Sequence, residues 1–323
     1  MKNIAVLYGG FSSEFEISVK SSKQICNWID KNRYQEFPVL VRPDGWFYPD
    51  ENGIEVDKSF FGIIQNNEKI HFDYAYIIIH GSPGENGLLP GYLEMMQIPH
   101  STCPSLVSAL TFNKYFCKLA LRDLPVNLAK SVLIRKNETS DTQQILRYVG
   151  LPCFVKPNNG GSSCGTSKVK SIEDLTPAIE LAFKEDTEVI IEEFIQGTEI
   201  SCGVVKTSSF SAVLPITEIV PKKEFFDYEA KYTPGMSEEI TPARISKSMY
   251  ELCQQYTSQI YDFLGCKGIV RIDYIIRNEM LYFLEINTVP GMSEASIVPQ
   301  QARHYGIAMT DLLTAIIEDN KSI

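Results

Sequence analysis

Two apolar segments near the C-terminal end constrain the fold of this 323-residue chain most strongly. Gly268–Ile276 and Met280–Asn287 are rich in Ile, Val, Tyr and Phe, and only a polar triplet separates them. This pattern predicts two antiparallel strands joined by a tight turn. Side chains alternate between the faces of a strand, so Arg271 and Asp273 share one face of the first strand. By the same rule Glu285 and Asn287 share one face of the second.

A turn at Asn278–Met280 sets the register, with Asp273 opposite Glu285 and Arg271 opposite Asn287. Two facing carboxylates, roughly 4.5 to 5.5 Å apart at Cβ, repel each other, so the pair predicts a bound cation. Oxygen ligands favour Mg²⁺ or Mn²⁺, and Mg²⁺ commonly binds substrate phosphates as well. The alternative, from this spacing alone, is a hairpin with one solvated face whose acidic and amide residues bind no ligand.

Composition limits the classes of protein that the chain can belong to. Its 44% hydrophobic residues and its length favour an ordinary soluble globular protein of two or three domains. The net charge of −10 argues against a broad nucleic-acid-binding face. Eight scattered cysteines without a C-x-x-C pair, and four histidines, argue against a zinc site or a disulfide framework. With no signal peptide or membrane-spanning run, we expect a cytoplasmic protein without a membrane partner.

The N-terminal third has the pattern of a doubly wound α/β domain. A buried-type strand at Ile4–Tyr8 precedes two glycines and a capping box, Ser13–Glu16, which predicts a helix to about Ile29. No G-x-G-x-x-G follows the strand, so a dinucleotide site is not predicted. Glu14 either interacts with the helix dipole or, at the carboxyl end of the strand, binds an ammonium group.

A second buried strand, Tyr74–Ile79, ends in the glycine-rich loop His80–Gly87. Dense glycines let the backbone approach a ligand closely, and His80 lies where the strand gives way to the loop. A single histidine is more often structural than catalytic, so both interpretations of His80 stay open.

The middle of the chain carries a loop of small residues between two strands. Ser105–Leu121 has helical spacing and carries Lys114, by itself an ordinary surface charge. A strand at Cys153–Lys156, the loop Pro157–Gly165 and a strand at Thr166–Lys170 follow. Such a segment differs from a P-loop, which opens a helix, but it can cover a triphosphate as a flap with Lys156 beside it. The alternative is a mobile surface hairpin.

In the rest of the chain, the residue pattern predicts a strand at Thr187–Phe194, a link at Gln196-Gly197 and helices at Ser246–Leu264 and Met309–Ile317. Between them, the segment Pro221–Pro242 has no regular pattern but is rich in aromatic residues. A long irregular segment of this kind inside a compact domain predicts a functional lid.

Six motifs together identify a family resemblance. They are Gly9-Gly10-x-Ser12-x-Glu14, His80-Gly81, Lys156-Pro157 with Gly161-Ser162-Ser163-x-Gly165, Tyr228-Glu229-Ala230-Lys231-Tyr232, Arg271-Ile-Asp273, and Glu285-Ile-Asn287-Thr-x-Pro290-Gly291-Met292. In this order they resemble the D-alanine–D-alanine ligases, over residues 4 to 317. The resemblance implies an ATP-grasp fold, α/β and α+β, of three lobes. We expect a doubly wound N-terminal domain at 1–103, a central subdomain with the phosphate flap at 104–192, and a C-terminal domain with the metal site and lid at 193–323.

The resemblance also implies a role for each matching residue. Glu14 would bind the ammonium of the first D-alanine and form a triad with Ser162 and Tyr232, while His80 would lie near that substrate's carboxylate. The ATP site would comprise Lys114, Lys156, Lys231, Ser163, the backbone of Glu192, Glu193 and Ile195, and Glu199 on the ribose. Two Mg²⁺ or Mn²⁺ ions would bind Asp273, Glu285 and Asn287. Arg271 and Gly291 would face the tetrahedral centre, and Ser296 would bind the second D-alanine's carboxylate. A homodimer is also implied.

Some positions depart from the family pattern, and some alternatives stay open. Asn86 and Pro90 replace the usual Asp and Gln, Glu193 replaces a frequent Lys, and Cys164 replaces an aliphatic residue.

A ligase that adds D-lactate or D-serine, another ATP-grasp ligase, and a non-catalytic ATP-binding regulator share much of the pattern. A Rossmann-type dehydrogenase would need the missing G-x-G-x-x-G.

Overall fold

The computed structural model describes residues 1–138, 140–221 and 237–319. Two predicted site residues, Lys231 and Tyr232, and most of the predicted lid lie outside the described residues.

The N-terminal part is built on a mainly parallel sheet. Its first strand, β1 (Lys2–Gly9), pairs in parallel with β2 (Tyr34–Arg42) on one side and with β7 (Tyr74–Ile77) on the other. Among the described residues, the sheet order is β4-β3-β2-β1-β7, with β3 at Gly45–Tyr48 and β4 at Ile54–Glu55. A separate hairpin has strands β5 (Gly62–Gln65) and β6 (Glu68–His71), and helix α2 spans Leu88–Met95. The predicted doubly wound opening is present.

The predicted capping box is wrong. Helix α1 spans Phe15–Trp28, and its N-cap is Glu14, which makes no capping hydrogen bond. The Ser12 hydroxyl instead accepts from Glu14 N–H at 3.2 Å and donates to the His80 carbonyl at 2.7 Å. The turn before α1 therefore serves to join the first helix to the glycine-rich loop.

The helix predicted at Ser105–Leu121 is broken in two. Helix α3 spans Ser105–Phe112, α4 spans Lys114–Ala120, and a 3₁₀ turn covers Leu121–Asp123. Asn113 interrupts the helix in an extended conformation, and its side chain caps α4 by accepting from Phe116 N–H at 3.0 Å. The break directs α4 towards Asn158, whose carbonyl accepts from Lys114 N–H at 3.1 Å.

A four-stranded antiparallel sheet forms the central part. Its order is β11-β10-β12-β9, and the strands are β9 (Ser131–Arg135), β10 (Cys153–Pro157), β11 (Ser167–Val169) and β12 (Glu188–Glu193). Helices α5 (Thr142–Val149) and α6 (Leu175–Ala182) contribute apolar side chains to the core of this sheet. The predicted arrangement of strand, small-residue loop and strand is thus confirmed as β10 and β11.

The C-terminal sheet carries the hairpin predicted from the two apolar segments. Its described strands follow the order β16-β15-β13-β17-β18-β8, and β14 also pairs with β13. The bounds are β8 (Asn127–Leu128), β13 (Thr198–Lys206), β14 (Ser211–Val213), β15 (Thr217–Pro221), β16 (Ser237–Ile240), β17 (Ile269–Arg277) and β18 (Met280–Asn287). Helices α7 (Lys247–Leu264), α8 (Ile297–Tyr305) and α9 (Met309–Ile317) complete the described part.

The sequence predicted that the segment Pro221–Pro242 is irregular, but part of it forms a strand. Its described end forms β16, which pairs antiparallel with β15 from Glu218↔Ile240 to Pro221↔Ser237. The pairing depends on a strand elsewhere in the chain, and no local apolar pattern indicates that β16 is a strand.

The last helix belongs to the core of the first sheet. Leu312 and Leu313 of α9 are fully buried in the same cluster as Ile4 and Leu7 of β1. Tyr74 donates from its hydroxyl to the Ile316 carbonyl at 3.1 Å. The two ends of the chain therefore fold together, and the predicted division at 103 and 192 stays a prediction. None of the described helices has the length and apolar character needed to cross a bilayer.

Candidate active site

Two adjoining cavities contain all the predicted site residues that the structure describes. The larger cavity, about 620 Å³, lies between the central and C-terminal sheets and is lined by Lys114, Lys156, Ser162, Ser163, Glu192, Glu193, Ile195, Glu199 and Glu285 among others. The smaller cavity, about 430 Å³, lies beside it and is lined by Glu14, His80, Lys114, Ser162, Glu199, Arg271, Asp273, Glu285, Asn287, Gly291 and Ser296 among others. Lys114, Ser162, Glu199 and Glu285 line both cavities, so the two cavities are direct neighbours.

The paired strands β17 and β18 place the predicted acidic residues between the cavities. Asp273 lies opposite Glu285 and Arg271 opposite Asn287, which confirms the predicted register. The register shifts directly after Asp273. This local irregularity falls at the residue pair that carries the two carboxylates.

The Asp273 carboxylate is fully engaged in hydrogen bonds. Arg271 donates from Nε to Oδ1 at 2.9 Å and from Nη2 to Oδ2 at 2.8 Å. Ser201 adds a bond to Oδ1 at 2.5 Å, and Asn287 one to Oδ2 at 3.0 Å. A carboxylate offers about four lone-pair positions. A cation that binds Asp273 must therefore displace one of these donors, and the Arg271 guanidinium is the one that already carries positive charge.

The donor set nevertheless fits a hard divalent cation. Two carboxylates and one amide, on facing residues of two strands, supply oxygen ligands of the kind that Mg²⁺ and Mn²⁺ prefer. Within the described ranges, no group of three or more His, Cys, Asp or Glu side chains is arranged to hold a metal.

His80 is held beneath the smaller cavity in one tautomer. Its Nδ1 lies 2.8 Å from the Val289 carbonyl, which can only accept, so Nδ1 carries the proton. Burial lowers the pKa of His80, which favours the neutral ring. Nε2 then presents a lone pair, and it has no hydrogen-bond partner among the described residues. A substrate atom in the cavity can supply that partner.

Glu85 is a site residue that the sequence analysis missed. Its carboxylate accepts from Gly81 N–H at 2.8 Å and from Val289 N–H at 3.1 Å, which fastens the glycine-rich loop to the segment after β18. Burial, and then the nearby Glu14 carboxylate, raise the pKa of Glu85 to about 7. The signal in the sequence was an acidic residue inside a glycine-rich loop at a strand end, where ligands of such sheets bind.

The loop between β10 and β11 covers the boundary of the two cavities. Ser162 and Ser163 both have positive φ, 52° and 58°, which is unusual for residues with a side chain. The Lys114 ammonium donates to the carbonyl of Gly160 in this loop. At Gly161 a Cβ would lie 2.8 Å from Oε2 of Glu14, so glycine allows the loop to approach that carboxylate.

A buried charge cluster forms one wall of the larger cavity. The Glu192 carboxylate binds the ammonium groups of both Lys118 and Lys156. Burial alone would raise the pKa of Glu192, but the two ammonium groups lower it to about 2. The sequence analysis missed Lys118, although it follows Lys114 by four residues and so shares its face of α4.

An aromatic wall lies next to this cluster. The rings of Phe154 and Phe194 are 5.6 Å apart, and the Lys168 ammonium lies 3.9 Å from the centre of the Phe194 ring. All three residues line the larger cavity, together with Glu193 and Ile195 at the end of β12. Because the two rings are in edge-to-face contact, they form one wall against which a flat aromatic ligand can stack, with backbone groups at its edge.

The far end of the smaller cavity is the N-terminus of α8. Ser296 is the N-cap of this helix, and its hydroxyl lies 2.8 Å from the Ser293 hydroxyl without capping the helix. A Cβ at Gly291 would lie 2.9 Å from Ser296 Oγ, so glycine keeps this corner open. The exposed N–H groups of a helix start attract a carboxylate.

Comparison with known proteins gives the same family along the chain. The family model described as D-ala D-ala ligase N-terminus matches residues 3–103, and the one described as D-ala D-ala ligase C-terminus matches residues 120–318. The D-alanine–D-alanine ligase of Azobacteroides pseudotrichonymphae is 50% identical over 322 residues, which cover 98% of this chain and 99% of that protein.

Solved structures are similar over the same length. A D-Ala:D-Ser ligase from Enterococcus faecalis has a TM-score of 0.87 at 31% identity, covering 98% of each chain. The D-alanine–D-alanine ligase of Bacillus anthracis complexed with ATP has a TM-score of 0.78 at 27% identity, covering 99% of this chain and 96% of that one.

Proposed function

Because this chain belongs to the D-alanine–D-alanine ligase family, we propose that it joins two D-alanine molecules into D-alanyl-D-alanine, with ATP cleaved to ADP and phosphate. The ATP-grasp fold expected from the motifs is confirmed by its structural neighbours. One observation carries the proposal beyond family membership: a lysine-lined cavity shares lining residues with a second cavity that is lined by Glu14 and by Ser296 at the N-terminus of α8.

The larger cavity suits ATP. Adenine would stack against the wall formed by Phe154 and Phe194, with the backbone of Glu192, Glu193 and Ile195 at its edge and Glu199 on the ribose. Lys114, Lys156 and Ser163 would bind phosphates. Lys231 would add a further cation, a role that rests on the resemblance because this residue is outside the described ranges.

The smaller cavity suits two zwitterionic amino acids. Glu14 would bind the ammonium of the first D-alanine, supported by Ser162 and, by resemblance, Tyr232. His80 would lie near the carboxylate of this substrate. Ser296 and the N-terminus of α8 would bind the carboxylate of the second D-alanine, since both offer hydrogen-bond donors to an anion.

We propose two Mg²⁺ or Mn²⁺ ions at Asp273, Glu285 and Asn287. When bound, these ions would neutralise charge on the phosphates during transfer. The fit rests on the facing carboxylates of β17 and β18 and on the nearby amide oxygen.

The chemistry proceeds through an acyl phosphate because a carboxylate has no good leaving group. The carboxylate of the first D-alanine attacks the γ-phosphorus of ATP in line, and ADP leaves. The ammonium group of the second D-alanine loses a proton to water, and the free amine attacks the acyl carbon. A tetrahedral oxyanion forms, the nitrogen loses a second proton to water, and phosphate leaves as the peptide bond closes. Arg271, permanently charged and lining the same cavity as Gly291, would stabilise that oxyanion. The lysines position the phosphates and balance their charge.

The cellular setting follows from the reaction. We propose that the dipeptide enters peptidoglycan precursors, so the protein would act in the cytoplasm, as a homodimer, with small molecules and no nucleic acid or membrane as partners. A D-alanine–D-serine ligase is the second candidate, favoured by the structural likeness to the Enterococcus faecalis enzyme.

The test is ADP formation from ATP and Mg²⁺ with the purified protein. We expect ADP formation to require D-alanine and to yield D-alanyl-D-alanine, identified by mass spectrometry. A panel in which D-serine or D-lactate is added beside D-alanine decides between the candidates. A dominant mixed product would replace the proposal with the second candidate, and ADP formation independent of any D-amino acid would exclude both.

A further inference from the structure

The buried cluster of Lys118, Glu192 and Lys156 contains more positive charge than is required to neutralise its one carboxylate. Two ammonium groups bind one carboxylate, so the cluster carries a net charge of about +1 inside the wall of the larger cavity. The side chains are 6%, 5% and 14% exposed, in the order Lys118, Glu192, Lys156. Charges this deep stay in place only when each has a partner.

The two lysines are held differently. Lys118 lies on α4, and its ammonium also donates to the Ala129 carbonyl at 3.4 Å, so it is fixed to the wall from two sides. Lys156 lies on β10, is the more exposed of the two, and its ammonium is 5.8 Å from the centre of the Phe154 ring. Lys156 is therefore the cation that can turn towards a ligand in the cavity.

We propose that Lys118 is a positioning residue that keeps Glu192 neutralised, so that Lys156 can leave Glu192 and bind the phosphates of ATP. This inference rests on the proposed function, since it assumes that ATP occupies the larger cavity. Without Lys118, the departure of Lys156 would leave the Glu192 carboxylate buried and unpaired. Glu192 would then retain Lys156, and ATP would lose a phosphate ligand.

Lys118→Met tests the proposal, because it removes the charge and keeps an unbranched side chain. We expect the Kd of adenylyl imidodiphosphate with Mg²⁺, measured by calorimetry, to rise roughly 10-fold or more, as for loss of a charged hydrogen bond. The KM for D-alanine should stay within about twofold. Lys136→Met is the matched control: Lys136 is exposed just after β9 and does not line either cavity, yet its loss changes the net charge equally.

The double variant Lys118→Met/Glu192→Gln separates charge pairing from packing. With the carboxylate gone, nothing retains Lys156, so nucleotide affinity should return to within about threefold of the wild-type value. It also leaves no unpaired buried carboxylate, which protects the fold if Lys118→Met alone unfolds. If Lys118→Met folds, the proposal would be overturned by wild-type affinity in this variant or by a double variant that binds nucleotide as weakly as Lys118→Met. If Lys118→Met does not fold, it would be overturned by a double variant whose nucleotide affinity is more than about threefold below that of the wild type. Ligation of D-alanine by the wild-type protein is measured separately. Failure of the proposed function can therefore be distinguished from failure of the role proposed for Lys118.

Discussion

At the scale of single residues, Glu85 connects the protonation of the site to the stability of the protein. Its two oxygens accept from backbone N–H groups on two different segments, and burial raises its pKa to about 7. The folded protein therefore holds this proton more tightly than the unfolded chain does. The stabilisation from the neutral carboxyl is complete below the unfolded pKa and is lost as the pH rises through the folded pKa.

We expect the Glu85→Gln variant to lose this pH dependence. Between about pH 4.5 and 7, the free energy of unfolding of the wild type should fall, relative to that of the variant, by on the order of 3 kcal/mol. Urea unfolding at several pH values measures this difference. Glu294→Gln, at an exposed position, is the control and should follow the wild type. Parallel pH profiles for wild type and Glu85→Gln would contradict the prediction.

Gly161 provides a second prediction at this scale. A methyl group there would meet Oε2 of Glu14, the end of a flexible side chain, so Gly161→Ala should displace the carboxylate with little change in stability. We expect the KM for the first D-alanine to rise roughly 10-fold, as for loss of a charged hydrogen bond, while the melting temperature stays near that of the wild type. Gly160→Ala, whose Cβ would lie 3.4 Å from Pro157, is the control for steady-state kinetics. Equal effects of the two substitutions would argue against a role for Glu14.

At the scale of elements, the break at Asn113 decides where two lysines lie. It starts α4 at Lys114, and the Asn113 amide also donates to Asn159 in the loop after β10 at 2.9 Å. A continuous helix would turn Lys114 and Lys118 to different positions around the helix axis. The cap therefore links helix geometry to the charge of the larger cavity.

We expect Asn113→Ala to lower both stability and nucleotide affinity. Loss of the cap should cost about 1 kcal/mol in urea unfolding, and the Kd for ATP should rise several-fold because Lys114 starts the affected turn. Asp141→Ala is the matched control, since Asp141 caps α5 through bonds of 3.0 Å to Gln143 N–H and to Gln144 N–H. It should cost similar stability and leave ATP binding unchanged. A similar loss of affinity in both variants would show that the effect is only general destabilisation.

The β17–β18 hairpin could be predicted from the sequence because its pattern is local. Alternation and a short turn fix which side chains face each other, and the structure has the predicted register at Asp273. The break at Asn113 and strand β16 could not be predicted in this way, because each depends on a partner far along the chain. Lys118 was not predicted for a related reason: its role comes from its burial beside Glu192, which no local sequence pattern shows.

At the scale of the whole molecule, the chain closes on itself. Helix α9 fills the core of the first sheet, and Tyr34 donates to Glu318 at 2.6 Å. Periodicity predicted α9 at its observed bounds, Met309–Ile317, but not the sheet against which it packs. The order of the six motifs gave the family, and the structure adds that the predicted site residues it describes line two adjoining cavities.

The most direct test of ligation through an acyl phosphate is to follow an oxygen atom. D-Alanine labelled with oxygen-18 in its carboxyl group is incubated with the purified protein, ATP and Mg²⁺, and the released phosphate is analysed by mass spectrometry. If the carboxylate attacks the γ-phosphorus, each phosphate released with a dipeptide carries one labelled oxygen. Dipeptide formation with unlabelled phosphate, or with the label in AMP, would contradict the mechanism.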